Sequence, residues 1–365
     1  MRRGAYRATT LAAISVALIL VPGCGGGGGG SEPSSSVEDV LAEVEGLHGA
    51  KRTKKLVELA ETGGGEVRLY TTADIDLGAA LAEAFEDEYD VDVSVFKTGD
   101  TLVQRIVEEK KAGFHGGDVV EVGGQHFESL REAGAIQPYR SPSLTNLVAG
   151  SVHEDWTADR LNVFAVARNT ALVAADEAPR TWEDLADPRW KGKLALDNEI
   201  PEWFKALWEY WASSGKSPAE ADRLMDAIGR NAVFLGSGSL LRQLLAAGEF
   251  DIGVALRHSV QNEKGEGAPI DWQPSVEPLL WKADGVAMIA EPPNPAAAVL
   301  FIDWLLGDGQ RVFAEFKTDP LRKDLLVAPT VKQIPIDIED FLAHQDEWQK
   351  RYDAFVRLGT KGPEG

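Results

Sequence analysis

Cysteine occurs once in the 365 residues, at Cys24. One thiol excludes an intramolecular disulfide, so the fold has to rest on its apolar core. Positive charge is scarce as well: Lys+Arg 37 stand against Asp+Glu 58, a net charge of −21. Nucleic-acid and anionic-membrane surfaces need an excess of basic residues, so no nucleic-acid partner is expected. The apolar run at residues 11–21 is shorter than the ~20 residues needed to cross a bilayer. No GxxxxGK[ST], HExxH or GxSxG pattern occurs, and the histidines at 48, 115, 126, 153, 258 and 344 show no short metal-ligand spacing. Adjacent tyrosines are absent too. With these signatures missing, binding without covalent chemistry is the expected role: no enzyme, no cofactor and no metal site.

What is present begins with a processing signal. Arg2, Arg3 and Arg7 precede the apolar run, which reads as a signal peptide over residues 1–23. Val21-Pro22-Gly23-Cys24 resembles a bacterial lipobox, with a small residue ahead of the cysteine. Residues 24–36 are glycine and serine apart from Cys24, Glu32 and Pro33, a flexible tether. A lipidated Cys24 on such a leash would hold a monomeric soluble domain at the outer face of a membrane. The chain as a whole is 44% hydrophobic and 26% charged, as in soluble globular proteins. Its length suits about two domains at roughly 150 residues each.

Residues 37–63 have helical spacing, interrupted at Gly46 or Gly49 and stopped at Gly63-Gly64-Gly65. From Glu66 the pattern alternates strand and helix. Strands are expected near 67–70, 91–95 and 118–122, each followed by an amphipathic helix. That repeat predicts a parallel sheet with right-handed crossovers. A second set of strands is expected near 194–196, 232–235 and 251–256, with extended crossings near 162–173 and 279–285. Trp203, Phe204, Leu207, Trp208 and Trp211 recur at helical spacing, which favours core packing over a stacking platform. A last amphipathic helix is expected over 338–358.

The stretch PRTWEDLADPRWKGKLALD, residues 179–197, combines a Thr181/Asp184 cap, a stop before Asp187-Pro188 and a turn into a strand. It resembles the "tWeDLldPkWkGklal" pattern of iron(III)-type extracellular solute-binding proteins of ABC transporters. Residues 291–310 resemble "APnPeaAklFidfLLs-peGQ" of the same family, and residues 55–60 fit its "LieaAkkEGe" helix. The resemblance runs from about Leu56 to Phe316. It implies an α/β, two-lobed type II periplasmic-binding-protein fold with a hinge, outside the cytoplasm, working with an ABC permease. The lobes would comprise residues 64–158 with 280–316, and 159–279 with 317–365. Ferric-binding members place adjacent tyrosines where this chain has Arg257-His258-Ser259, so bare-iron ligation is not expected.

In open α/β sheets ligands sit beyond the carboxyl ends of the strands. Those ends carry Thr71, Thr72, Thr98, Gly99, Gly123, Gly124, Asp197, Asn198, Ser237, Gly238, Ser239 and Arg257. Small, hydroxylated residues leave backbone N–H groups reachable, although helix capping is their commoner use. Arg257 at the cleft mouth would clamp an oxyanion bidentately. A small anionic ligand is the expectation; iron carried with an anion, a tethered sensor domain and a cleft hydrolase are the alternatives. For the anchor, Cys24→Ser should move the protein from the detergent phase to the aqueous phase in phase partitioning. Identical partitioning of the two forms would remove the lipid from the account.

Overall fold

The computed structural model describes residues 36–99, 101–326 and 330–360. The expected signal peptide, Cys24 and all but the last residue of the tether lie outside the described residues. Among the described residues no helix is long and apolar enough to cross a membrane.

Ser36 and Asp39 form a reciprocal cap that starts the helix Val37–Glu43. Gly46 (φ 71°) and Gly49 (φ 52°) then turn the chain into the helix Ala50–Thr62. Both glycines are used, since each conformation lies in the left-handed region.

Among the described residues twelve strands follow: β1 (Glu66–Thr71), β2 (Asp92–Lys97), β3 (Val119–Gly123), β4 (Ile136–Gln137), β5 (Thr157–Asn169), β6 (Leu194–Asp197), β7 (Ala232–Leu235), β8 (Ile252–Leu256), β9 (Ile270–Asp271), β10 (Leu279–Ile289), β11 (Asp319–Pro320) and β12 (Gln333–Pro335). The main path runs β2-β1-β3-β10-β5-β8-β6-β7. Within β2-β1-β3 and within β8-β6-β7 the pairing is parallel. Between these halves the long strands β5 and β10 run antiparallel to each other, and each also pairs with one half. They are the two crossings expected near 162–173 and 279–285, and β5 starts earlier because Thr157 and Ala158 already pair with β10.

Helices cover both faces, so the central strands read as nearly continuous apolar runs, as buried parallel strands do. Helix Ile75–Tyr89 buries Leu77, Leu81 and Phe85 on the first half. Around the second half, Trp203, Phe204, Leu207 and Trp211 of the helix Pro201–Ser213 enter a core with Trp182 and Trp190. That is the packing role expected of the aromatic face.

The Thr181/Asp184 cap forms as expected, but it opens a five-residue 3₁₀ turn, Trp182–Ala186, in place of an α-helix. Asp187 precedes proline and is held extended (ψ 127°), leaving no room for a further α turn. The C-terminal helix breaks at His344 into Ile338–Ala343 and Gln345–Val356. Its apolar face, Phe341, Trp348, Tyr352 and Phe355, packs into the second core. Asp319 and Pro320 pair with β5, and Arg322 bridges to Leu147.

One buried polar junction ties the N-terminal helices to the sheet. Asp118 accepts from the backbone N–H of Arg68 (2.8 Å) and of Asn294 (2.6 Å). The Asn294 side chain caps the helix Pro295–Leu305 through Ala297 N–H (3.1 Å) and donates to Ala60 O (3.1 Å). Asn294→Ala removes the cap and orphans a buried carbonyl, so it should cost about 1–3 kcal/mol. Urea denaturation of the variant and wild type measures this. A shift below 0.5 kcal/mol, the ~0.5 kcal/mol scale of neutral surface changes, would show that water replaces the side chain.

Candidate functional site

The crossing strands carry charge where a buried pair would be expected to carry apolar residues. Directly opposed residues of an antiparallel pair share a face. Lys282 faces Asn162 and Asp284 faces Arg160 across β10 and β5. The register shifts between Asp284 and Gly285, leaving Asp159 as the extra residue of a β-bulge. Bulges re-aim side chains, and this one turns an acidic residue into the interior. Asp159 is fully buried, and neither carboxylate oxygen has a hydrogen-bond partner among the described residues.

Arg160 ties the two strands to the first half of the sheet. Its guanidinium donates to Glu121 of β3 and to Asp284 of β10. Glu121 also accepts from the Thr71 hydroxyl at the end of β1, and Asp284 accepts from Asn162 (2.9 Å). Three carboxylates, Glu121, Asp159 and Asp284, thus surround one guanidinium. Burial pushes the Asp159 carboxyl well above the ordinary range, and the neighbouring Glu121 adds to this. Glu121 is raised too, by burial working against Arg160.

Beside this cluster lies a cavity of about 510 Å³ with Lys282 in its wall. Gln125 and Ser129 reach it from the segment after β3, and Asn198, Glu199 and Glu202 from the segment after β6. Gln345 and Gln349 of the last helix close the third side, with Ile338 and Phe341. Lys282 Nζ donates to Glu202 Oε1 (2.6 Å). Burial works against its charge, but Glu202 prevails and raises its pKa. The helix Pro201–Ser213 has no side-chain cap and begins with proline, so its first turn presents free N–H groups beside the cavity. Tyr352 fixes the approach to that turn: its hydroxyl donates to Asp197 O (2.5 Å) and accepts from Ile200 N (3.4 Å).

Of the residues expected at the site, Asn198 lines the cavity. Asp197 precedes it, accepting from Glu199 N (3.0 Å), and burial raises its pKa. Gly123 and Gly124 lead into Gln125 and are themselves buried. A Cβ on Gly124 would come within 3.0 Å of Ala283 O, so glycine there allows β10 to pass closely. Thr71 belongs to the buried cluster, and Thr72 N donates to Glu121 O (3.1 Å). Thr98 N donates to Thr71 O (3.3 Å), and Gly99 is exposed. Ser237 caps the helix Gly238–Ala247 by accepting from Leu240 N (3.2 Å), the ordinary use of such a serine. Gly238 is half-buried, close to Asp197 and Arg242, while Ser239 is exposed.

Arg257 needs a correction of place. It is 1% exposed, not at the cleft mouth, and opens the helix Arg257–Gly265 directly after β8. Its guanidinium is ion-paired with Asp319 of β11 and lies 5.3 Å from the Trp272 ring centre. Burial lowers its pKa to about 10, which still leaves it charged at neutral pH. Its neighbour His258 is pushed down to about 4 by burial and by the guanidinium groups of Arg160, Arg257 and Arg242, so it stays neutral. A substitution at Arg257 would strand Asp319 as an unpaired buried charge, so it should cost stability.

Sequence reasoning passed over Glu121, Asp159, Arg160, Lys282 and Asp284. The signal was present: each is a charged residue inside a strand otherwise rich in apolar residues, as in VVEVG and LLWKADGVAMI. Only the pairing of β5 with β10 shows that they converge.

Residues 80–343 match the model of the family described as bacterial extracellular solute-binding protein. A relative from Haemophilus influenzae, described as an uncharacterized protein, is 26% identical over 284 residues, covering 74% of this chain and 81% of its own. The Mannheimia haemolytica ferric iron-binding protein A, in an open conformation, superposes with a TM-score of 0.68 at 20% identity, covering 81% of this chain and 99% of that one. The periplasmic binding protein AfuA from Actinobacillus pleuropneumoniae, solved with exogenous fructose-6-phosphate bound, gives 0.60 at 20% identity, over 80% and 99%. This chain belongs to the bacterial extracellular solute-binding proteins of ABC transport and has their two-lobed, type II periplasmic-binding-protein fold.

Proposed function

We propose that this protein captures a small anionic solute between its lobes and delivers it to an ABC permease, held at the membrane by a lipid on Cys24. The observation that carries the ligand class is the cavity wall itself. A lysine and an uncapped helix N-terminus both border a space whose other polar lining is four amides, the Ser129 hydroxyl and the carboxylates of Glu199 and Glu202. Helix N-termini and ammonium groups favour anions. The side-chain amides of Gln125, Asn198, Gln345 and Gln349 offer both donors and acceptors to hydroxyl or carboxyl groups of the solute. In the form described, Glu202 occupies Lys282, so it acts as an internal stand-in that an incoming anion displaces. Closure of the lobes around the solute shifts the open–closed equilibrium by the difference in affinity for the two forms.

Iron carried together with an anion is a narrower reading, favoured by the carboxylates of Glu199 and Glu202 in the cavity wall. Against bare Fe³⁺, no tyrosine lines the cavity, and among the described residues no group of three His, Cys, Asp or Glu side chains is placed to hold a metal.

Mass spectrometry of solutes released from gently purified protein identifies the ligand, and calorimetric titration with it provides the test. A charge-assisted hydrogen bond is worth about 1.5–3 kcal/mol, so Lys282→Ala should weaken binding by roughly one to two orders of magnitude. Glu202→Gln should strengthen binding, because it frees Lys282 from its internal partner. A pair serving only the fold would lose stability in both variants and show no such opposition. Weakened binding in both would overturn the stand-in role of Glu202. Fe³⁺ added without an anion should give no tyrosinate charge-transfer band in visible spectra; a saturable band would restore the bare-iron reading.

A further inference from the structure

The family match ends at residue 343, yet the chain continues into a helix that closes one side of the cavity. This segment has two separate sets of attachments. One set fixes it to the second lobe. Phe204 packs against the rings of Trp348 (6.2 Å), Tyr352 (5.7 Å) and Phe355 (5.0 Å). Lys205, only 2% exposed, reaches Asp340 (2.6 Å), and Tyr352 holds Asp197 O. The burial of an ammonium against a carboxylate and of several aromatic rings makes this a permanent anchorage.

The other set reaches the first lobe and is of a different kind. Glu339 lies 3.3 Å from His153 Nδ1 and 4.0 Å from Arg131 Nη2. His153 is stacked on Trp156 (3.7 Å, 5° between planes), which in turn stacks on Phe127 (4.5 Å). Arg131 is held by Asp155 (2.7 Å). The receiving groups are therefore rigid, while the Glu339 side chain is 58% exposed. An exposed contact of this kind makes and breaks readily, worth little enough to open and enough to bias an equilibrium.

We propose that the C-terminal helix pair, Ile338–Ala343 and Gln345–Val356, is a strap anchored on the second lobe, and that Glu339 latches it to His153 and Arg131 of the first. Glu339 is thus a positioning residue for the lobes: it raises the share of the lobe arrangement in which this contact forms, without touching the solute. The proposal uses the two-lobed fold but not the identity of the ligand, so it can fail while the solute-binding reading stands.

The test needs no ligand. The full chain carrying Cys24→Ser has no thiol, so cysteines placed at Ile75 on the first lobe and Leu240 on the second take spin labels cleanly. Both positions are exposed, at 71% and 42%. Glu339→Lys sets a positive charge against Arg131 and should change the ratio of short to long interlobe distances roughly two- to fivefold, the scale of an exposed ion pair. Glu347→Lys, an exposed change of equal charge on the same segment, should leave the distribution unchanged. Thermal melts of both variants should match the parent, which separates latching from folding. An unmoved distribution in Glu339→Lys, or an equal shift in Glu347→Lys, would overturn the latch.

Discussion

The antiparallel pairing of β5 with β10 is the constraint on which the rest depends. The parallel half-sheets to either side each join only one of these strands, so the geometry of that pair sets how the lobes face each other. It also carries the polar floor of the cleft. Arg160 and Asp284 are opposed across the pair, and Glu121 joins them from the neighbouring strand. Removing one partner from a buried charge network costs about 3–5 kcal/mol, far more than an exposed pair. The hinge is therefore expensive to disrupt and yet charged, a combination that a purely apolar crossing would not supply.

Around that floor, the two lobes contribute different chemistry. The first lobe brings Gly124, which lets β10 pass closely, followed by Gln125. The second brings the uncapped helix start at Pro201 and the acid Glu202 that occupies Lys282. Neither lobe alone forms the cavity. The C-terminal helix pair completes it, and its aromatic face belongs to the core of the second lobe. One element thus serves both packing and the cavity wall: its buried side holds it in place while Gln345 and Gln349 line the cavity.

Part of this was legible in the amino-acid order. Alternating strands and helices, the Thr181/Asp184 cap and the breaks at Gly46 and Gly49 are local, set by periodicity and by the conformations that proline and glycine impose. Asn198 was legible as a strand-end residue. Ser237, a candidate ligand contact at a strand end, caps the helix that follows it by accepting from Leu240 N. Arg257 was read as a cleft-mouth cation and is buried, since its partner Asp319 lies 62 residues away on a two-residue strand. No local pattern announces such a partner.

The sequence by itself determined the kinds of element, their order and the family resemblance, because hydrophobic periodicity and capping act over a few residues. It also determined that the protein lacks the signatures of covalent catalysis tested for. Tertiary structure alone decided which charges meet. Glu121, Asp159, Arg160 and Asp284 converge only once β3, β5 and β10 are in register, and the extra residue at the bulge selects Asp159 for the interior. Long-range electrostatics depends on separation in space, and separation in space is what the linear order of residues leaves open.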